Sequence, residues 1–467
     1  MKRNMFNLSH EHKTSVDMGL LIPVMCEEVL PGDTFSHSAT ALSRVAPLQN
    51  PLMHRVELRL HTFYVPNRIL WSGWEDFITG KDDVTPKPII TTTGTGSKLL
   101  DHLGIPPTIA GLEIDAMPVQ AYNLIWNEFY RDQDLQTDRD PLDVSLANCA
   151  WQKDYFTIAR PQPQQGEPEA IPITGSDAQV NIKGANYTPG VDSVIRAGNV
   201  SPEGTQPANA WNATDGTSQL VTALGTGEIA IDDLRRALAL QRFAEARMRF
   251  GSRYIDYLRY MGVNPTDGRL DRPEYLGGGK QTLSFSEVLA TAETTEANVG
   301  DMYGHGIAMG KQNHYRKMFE EHGWCITLLS ARPKTVYANQ LPRKFTRTAA
   351  MDYYQKELEV LPWQEVNQRE VDAAGDPAQV FGYVPRFEEY RHGVSQVSAT
   401  LREGTEVDWT MARIFDTPPT LNSSFIECTP TDRIYQDANM PDLIVNVQHN
   451  LKAARIVGAT ATMGTKL

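Results

Sequence analysis

Residues 55–71, "RVELRLHTFYVPNRILW", carry the reading that decides the fold class. Val56, Leu58 and Leu60 share one face of an extended chain, while Arg55, Glu57, Arg59 and His61 share the other. Alternation of period two marks a half-buried β-strand. The strand runs on through Phe63, Tyr64 and Val65 and stops at Pro66-Asn67. Small polar residues normally follow such a stop, yet here Ile69, Leu70, Trp71 and Trp74 come next. The connection therefore folds back onto its own core or lies against another molecule. Trp is enriched where proteins meet, so these four residues are interface candidates.

On the N-terminal side, residues 1–20 are polar and mildly basic and read as an arm. "IPVMCEEVLPGDTF" (22–35) gives a strand, a Pro31-Gly32-Asp33 turn and a restart, a hairpin-like signature. On the other side, 79–118 turns to Thr, Gly and Pro and reads as loop. A helix begins at Pro118, with Ala121, Leu124, Ile125 and Phe129 at helical spacing. Residues 161–229 are rich in Pro, Gly, Ser, Thr and Asn and hold two cations, Lys183 and Arg196, so they read as an exposed insertion. A structureless loop of that length inside a compact domain is improbable unless it has a function.

The longest helical pattern follows, from Asp232 to about Met261. Asp232 and Asp233 suit its positive N-terminal end, and Gly262 with Pro265 suits its stop. Leu234, Leu238, Leu240, Ala244, Met248, Ile255 and Leu258 supply an apolar face. Arg235, Arg236, Arg242, Arg247, Arg249 and Arg253 crowd the rest. Guanidinium groups suit phosphates, and Phe250, Tyr254 and Tyr257 offer rings on which bases can stack, which makes this a candidate phosphate-facing surface. The plainer reading is an amphipathic helix whose Arg residues pair with acids on neighbouring segments or chains, and the two are not exclusive. "VSQVSATLRE" and "DLIVNVQHN" return to a sheet pattern. The sum is mainly β, a sandwich or jelly roll with long loop insertions and a few helices.

The chain has 467 residues, 41% of them hydrophobic and 22% charged, enough for a substantial core. Its net charge of −13 opposes a wholly polyanion-binding surface, so any nucleic acid must meet a local patch or a separate basic protein. Cys26, Cys149, Cys325 and Cys428 stand far apart without a C-x-x-C pair, as packed thiols of a reducing compartment do. No signal peptide or membrane-spanning run is visible, which suits synthesis in a cytoplasm without membrane insertion.

The sequence offers little for catalysis. "TTTGTGSK" (91–98) lacks the phosphate-loop frame, and G-x-S-x-G and H-E-x-x-H are missing. His305 between glycines, and His10 with His12, have no partner at metal spacing. No catalytic residue, metal or cofactor is expected.

Six stretches carry a resemblance: "HKTSVDMGLLIPVMCEEVLPGDTF", "HTFYVPNRILW", "YNLIWNEFYRDQDLQ", "DYFTIARPQPQQG", "RLDRPEYLGGG" and "FGYVPRFEEYRHGVSQV". In that order they resemble the major capsid proteins of microviruses, small single-stranded DNA bacteriophages, and the gokushovirus-like branch most. The resemblance implies an eight-stranded viral jelly-roll β-barrel, sixty copies of which build a T=1 icosahedral shell. It also implies a circular single-stranded DNA genome condensed by a small basic protein, and a virion assembled in the bacterial host's cytoplasm. A variable surface insertion near the threefold axes is implied too, and 161–229 is the stretch that fits it, a candidate contact with a host receptor. The chain then divides into an arm (1–20), a first part of the jelly roll (21–160), the insertion (161–229), and the Arg-rich helix with the rest of the jelly roll and a tail (230–467). A carbohydrate-binding or carbohydrate-active β-sandwich is the alternative, in which the insertion would build the binding surface.

Overall fold

In the computed structural model the described residues are 3–81, 86–166, 231–251, 253–289, 302–437 and 439–458, with the two-residue strands at 178–179, 194–195, 211–212 and 221–222. The chain forms two compact units, Met1–Pro163 with Met248–Leu467, and Gln164–Arg247.

The larger unit is mainly β and its sheets are antiparallel. Its strands are β1 (Asn4–Asn7), β2 (His10–Val16), β3 (Leu20–Val29), β4 (Thr34–Val45), β5 (Val56–Pro66), β6 (Glu274–Thr282), β7 (Ser284–Leu289), β8 (Met302–Lys311), β9 (Tyr315–Met318), β10 (Gly323–Pro333) and β11 (Leu443–Arg455). In a seven-stranded sheet, β1 and β2 pair with one edge of β11, β4 with its other edge, β8 and β9 with β4, and β7 with β8. A five-stranded sheet runs β6-β5-β10-β3 and ends on the short strand Ala147–Asn148.

One core cluster draws on both sheets. Ile22, Val24, Val56, Leu58, Leu60 and Leu329 come from the five-stranded sheet, and Ala39, Ala41, Ala308, Val445 and Val447 from the other. Both layers contribute Val and Leu side chains, with Ala39, Ala41 and Ala308 on one and Ala331 on the other, and together they fill the space between the sheets. The opposite face of the five-stranded sheet is also covered: Leu21, Phe63, Val65, Ile326 and Leu328 pack with Val119, Tyr122, Ile125 and Trp126. Those last four belong to α4 (Met117–Phe129), the fourth helix after α1 (Asn67–Leu70), α2 (Trp74–Thr79) and α3 (Lys98–His102). Burial on both faces explains why the alternation of 56–61 gives way to the unbroken Phe63-Tyr64-Val65. Each such side chain contributes about 2 kcal/mol.

Several expectations are corrected. The 22–35 signature is not a hairpin: β3 and β4 lie in different sheets. Gly32, at φ +85°, turns the chain while the Asp33 carboxylate accepts the Leu30 N–H, so the turn redirects the chain between layers. The polar start is strand-paired from Asn4 to Val16, because His10, His12 and Thr14 occupy the more protected positions that apolar residues usually fill. Residues 79–118 hold a hairpin, Ile89–Thr93 with Ala110–Asp115, and α3, capped by the Ser97 hydroxyl. "VSQVSATLRE" is not a strand; it turns into a 3-10 helix at Ala399–Leu401, with Ala399 at φ +57°. The long helix is two, α5 (Ile231–Phe250) and α6 (Tyr254–Tyr260), separated at Gly251, whose φ of +110° no helix accommodates.

In the smaller unit, 178–179 pairs with 221–222 and 194–195 with 211–212, both antiparallel, and the residues of α5 up to Arg247 belong to it. Most of the 161–229 insertion lies outside the described residues.

Candidate functional site

The connection after β5 answers the question its sequence raised in two halves. Ile69 and Leu70, on α1, pack against the α4 side of the five-stranded sheet. Trp71 and Trp74 instead stay half-buried and form an aromatic group at the rim. Trp71 meets Phe77 edge-on at 5.5 Å, and Trp74 meets His322 edge-on at 5.4 Å. Gly73 fits only because it lacks a side chain: a Cβ there would sit 2.6 Å from the Trp71 ring. Phe77 and Ile78 of α2 extend the group and are exposed. Of the four residues expected at an interface, two are held mainly by their own subunit and two head an open apolar rim.

The Arg-rich segment divides as well. Arg235, Arg236, Arg242, Arg247 and Arg249 on α5 are exposed, and Arg235 stands 3.8 Å from Asp232 one turn away. Arg253, beyond the Gly251 break, is half-buried and donates to the carbonyl oxygens of Asn127 and Glu128 in the last turn of α4. Burial holds its pKa below the ordinary Arg value, with the Glu128 carboxylate opposing that shift. Arg272 completes this end of α4, donating to the Glu128 carboxylate at 2.8 Å while its guanidinium lies over the Phe129 ring. Two cations at the negative end of a helix satisfy carbonyls that have no partner inside it. Of the apolar positions expected to bury, Met248 and Ile255 do so, whereas Leu234, Leu238 and Leu240 are exposed.

Polar groups also cluster between the sheets. His449 donates from Nε2 to the Val24 carbonyl at 3.1 Å and shares a 3.1 Å hydrogen bond through Nδ1 with Nε2 of His37. His10 stacks on His449 at 5.0 Å, and Tyr315 meets His37 edge-on at 5.4 Å. Burial pushes His37 down to about 4 and His449 to about 3, so both rings are neutral at neutral pH. No group of three or more His, Cys, Asp or Glu among the described residues is placed to hold a metal. His305 faces outward from β8 beside the Ser286 hydroxyl.

The outward face of the seven-stranded sheet was not foreseen. Ladder register sets Arg44 between Ile444 and Ile307, Leu42 between Asn446 and Met309, Thr40 between Gln448 and Lys311, and Ser36 between Lys452 and Arg316. Its signal was in the sequence, in the alternate positions of strands 34–45 and 443–455.

A family model described as capsid protein (F protein) matches residues 1–465. This chain belongs to that family. The capsid protein VP1 of Chlamydia phage 1 is 31% identical to it, over 97% of this chain and 94% of the relative. VP1 of Bdellovibrio phage phiMH2K is 31% identical over 95% and 91%, and VP1 of Spiroplasma virus 4 is 26% identical over 99% and 95%. The resemblance read from the six stretches is borne out: this is a major capsid protein of the microvirus type, a component of a virion that assembles in many copies. The rim at Trp71, Trp74, Phe77 and Ile78 and the Leu234, Leu238 and Leu240 side chains of α5 are apolar surface left open on the single subunit.

Proposed function

We propose that sixty copies of this chain close a T=1 icosahedral shell around a circular single-stranded DNA genome, without catalysis. The observation that carries the reading is the family match from residue 1 to 465. The sheet order supports an eight-stranded jelly roll. One layer runs β2-β11-β4-β8 and the other β3-β10-β5-β6, so consecutive strands β2 to β5 cross between layers as they do in that fold.

In this reading Trp71 and Trp74 meet a neighbouring subunit, with Ile69 and Leu70 fixing the connection beneath them. Arg235, Arg236, Arg242, Arg247 and Arg249 face the genome or the small basic protein that condenses it; Arg253 is already engaged by α4. Residues 161–229 project from the surface near the threefold axes and meet the host receptor. Assembly takes place in the host bacterial cytoplasm.

Electron microscopy of the purified protein, with a nuclease-protection assay on the same fraction, tests this. Uniform T=1 particles holding nuclease-resistant single-stranded DNA are expected. A small oligomer, obtained with any assembly partners supplied, would overturn the shell and favour a carbohydrate-binding sandwich.

A further inference from the structure

We infer that the outward face of the seven-stranded sheet is a docking surface for the phosphate backbone of single-stranded nucleic acid, neutralised by Arg44, Lys311, Arg316 and Lys452. The inference rests on the proposed nucleic-acid content of the shell and assigns a surface to it that is separate from the α5 arginines.

Charge is the first ground. In a chain of net −13, this face presents Lys13, Arg44, Lys311, Arg316 and Lys452. Glu11 is the acid among its described side chains, and it binds Lys13 at 2.9 Å. Among the described residues, the other four cations have no carboxylate within salt-bridge distance, unlike Arg55, Arg59 and Arg272, which are paired. Cations without a carboxylate partner among the described residues, concentrated on one face of an acidic protein, suit an anion.

The carpet between the cations is the second ground. Ser36, Ser38, Thr40, Asn446, Gln448 and Asn450 supply short hydroxyl and amide groups, the kind that join Arg and Lys in binding phosphate oxygens. His314 approaches Ser36 to 2.8 Å, so one serine hydroxyl sits among a histidine, Arg316 and Lys452. From Ser36 to Arg44 the strand spans about 27 Å, room for a run of several phosphates.

Shape decides for single strands. Leu42, Ile307, Met309 and Ile444 form a contiguous apolar island at one end of the face, 39%, 43%, 66% and 58% exposed. Unpaired bases can lay their faces on such an island, whereas a duplex keeps its bases stacked inside. A second copy of the chain fits less well. Subunit interfaces enrich aromatic residues and deplete Lys, while the described side chains here include no Phe, Tyr or Trp and carry three Lys.

The test is the variant R44Q/K311Q/R316Q/K452Q of the full chain. All four side chains point into solvent, so the fold should tolerate it, and a thermal melt checks that. Binding of a labelled oligo-dT of about 30 nucleotides to the unassembled subunit is followed by anisotropy across a salt series. Affinity should fall by more than about 100-fold at 0.1 M salt, and the log–log salt slope should shrink by about 3, near 0.7 for each lost phosphate contact. R44K/K311R/R316K/K452R should retain binding. Unchanged affinity and slope in the Gln variant would overturn the inference.

In cells, the Gln variant should give particles of normal size with less nuclease-protected DNA than wild type. Normal DNA content would sink the inference and leave the shell intact. Soluble subunits that no longer assemble would overturn it too, in favour of a contact between copies. Failure of the wild-type chain itself to assemble would strike the proposed function instead. Should the variant not fold, ultraviolet cross-linking of wild-type particles decides: DNA adducts on peptides of β4, β8, β9 and β11 are expected, and adducts confined elsewhere would refute it.

Discussion

His37 donates from Nε2 to Nδ1 of His449, 3.1 Å away across the β4–β11 pair, and a third group fixes the direction of that bond. Because His449 gives its Nε2 proton to the Val24 carbonyl, its Nδ1 in the neutral ring is left as an acceptor. Protonating His449 would set two N–H groups against each other in a buried space.

Acid should therefore loosen the subunit. Burial lowers the His37 pKa to about 4. The unfolded chain takes up this proton near pH 6.5 and the folded chain only near pH 4, so stability is lost as pH falls through that window. For His37 alone the loss reaches about 3 kcal/mol at pH 4. Asp442 works in the opposite sense, since burial raises it to about 6 and its protonation relieves that cost as pH falls. The difference between wild-type and His37→Gln melting curves cancels the Asp442 contribution. The variant should start less stable at neutral pH and lose less between about pH 6.5 and 4; parallel curves would contradict this.

Arg253→Ala should destabilise the subunit by about 2 kcal/mol or more, because two carbonyls at the end of α4 lose a charged donor. Arg235→Ala and Arg242→Ala, on exposed positions, should stay within about 0.5 kcal/mol of wild type. Equal effects across the three would remove the assigned split between structural and exposed arginines. Denaturant melts of the unassembled protein provide the comparison.

Trp71→Ala and Trp74→Ala should lower particle yield by about tenfold or more while soluble expression changes less, as loss of a central interface aromatic would. Sedimentation of particles against total soluble protein gives the ratio. Matching losses in both fractions would assign the two rings to internal packing.

Gly19→Ala should abolish stable folding or cost well over about 2 kcal/mol. Gly19 holds φ +89°, and a Cβ there would lie 2.1 Å from the Cys428 carbonyl oxygen. Its own carbonyl accepts the Cys149 N–H at 2.8 Å, so the residue ties the start of β3 to two distant segments. A variant that melts like wild type would refute the assignment.

Strands whose alternation is apolar were legible: Val56–Pro66 and Leu443–Arg455 stand where their patterns put them. His10, His12 and Thr14 escaped because hydropathy cannot distinguish an inward polar residue that finds partners from an outward one. The Pro31-Gly32 turn was read correctly as a turn but wrongly as a hairpin, since a turn fixes local direction and says nothing about which sheet receives the next strand. The Gly251 break was hidden by helix formers on both sides. Of the candidate site, residue types were legible and their engagement was not. Nothing local separates Arg253 from Arg249, because the difference lies in α4, more than a hundred residues earlier.

The place of β11 between β2 and β4 has a consequence for how the subunit is made. β2 and β4 take their partner from residues 443–455, so they leave the ribosome with open edges. At ordinary synthesis rates they wait roughly 20 to 80 s for it. Edges exposed that long invite wrong pairing, the hazard of any sheet whose strands are joined late and from far apart in sequence. The same delay acts as a proofreading step. A chain broken off anywhere before Leu443 lacks the strand that joins β2 to β4, and so cannot complete the sheet.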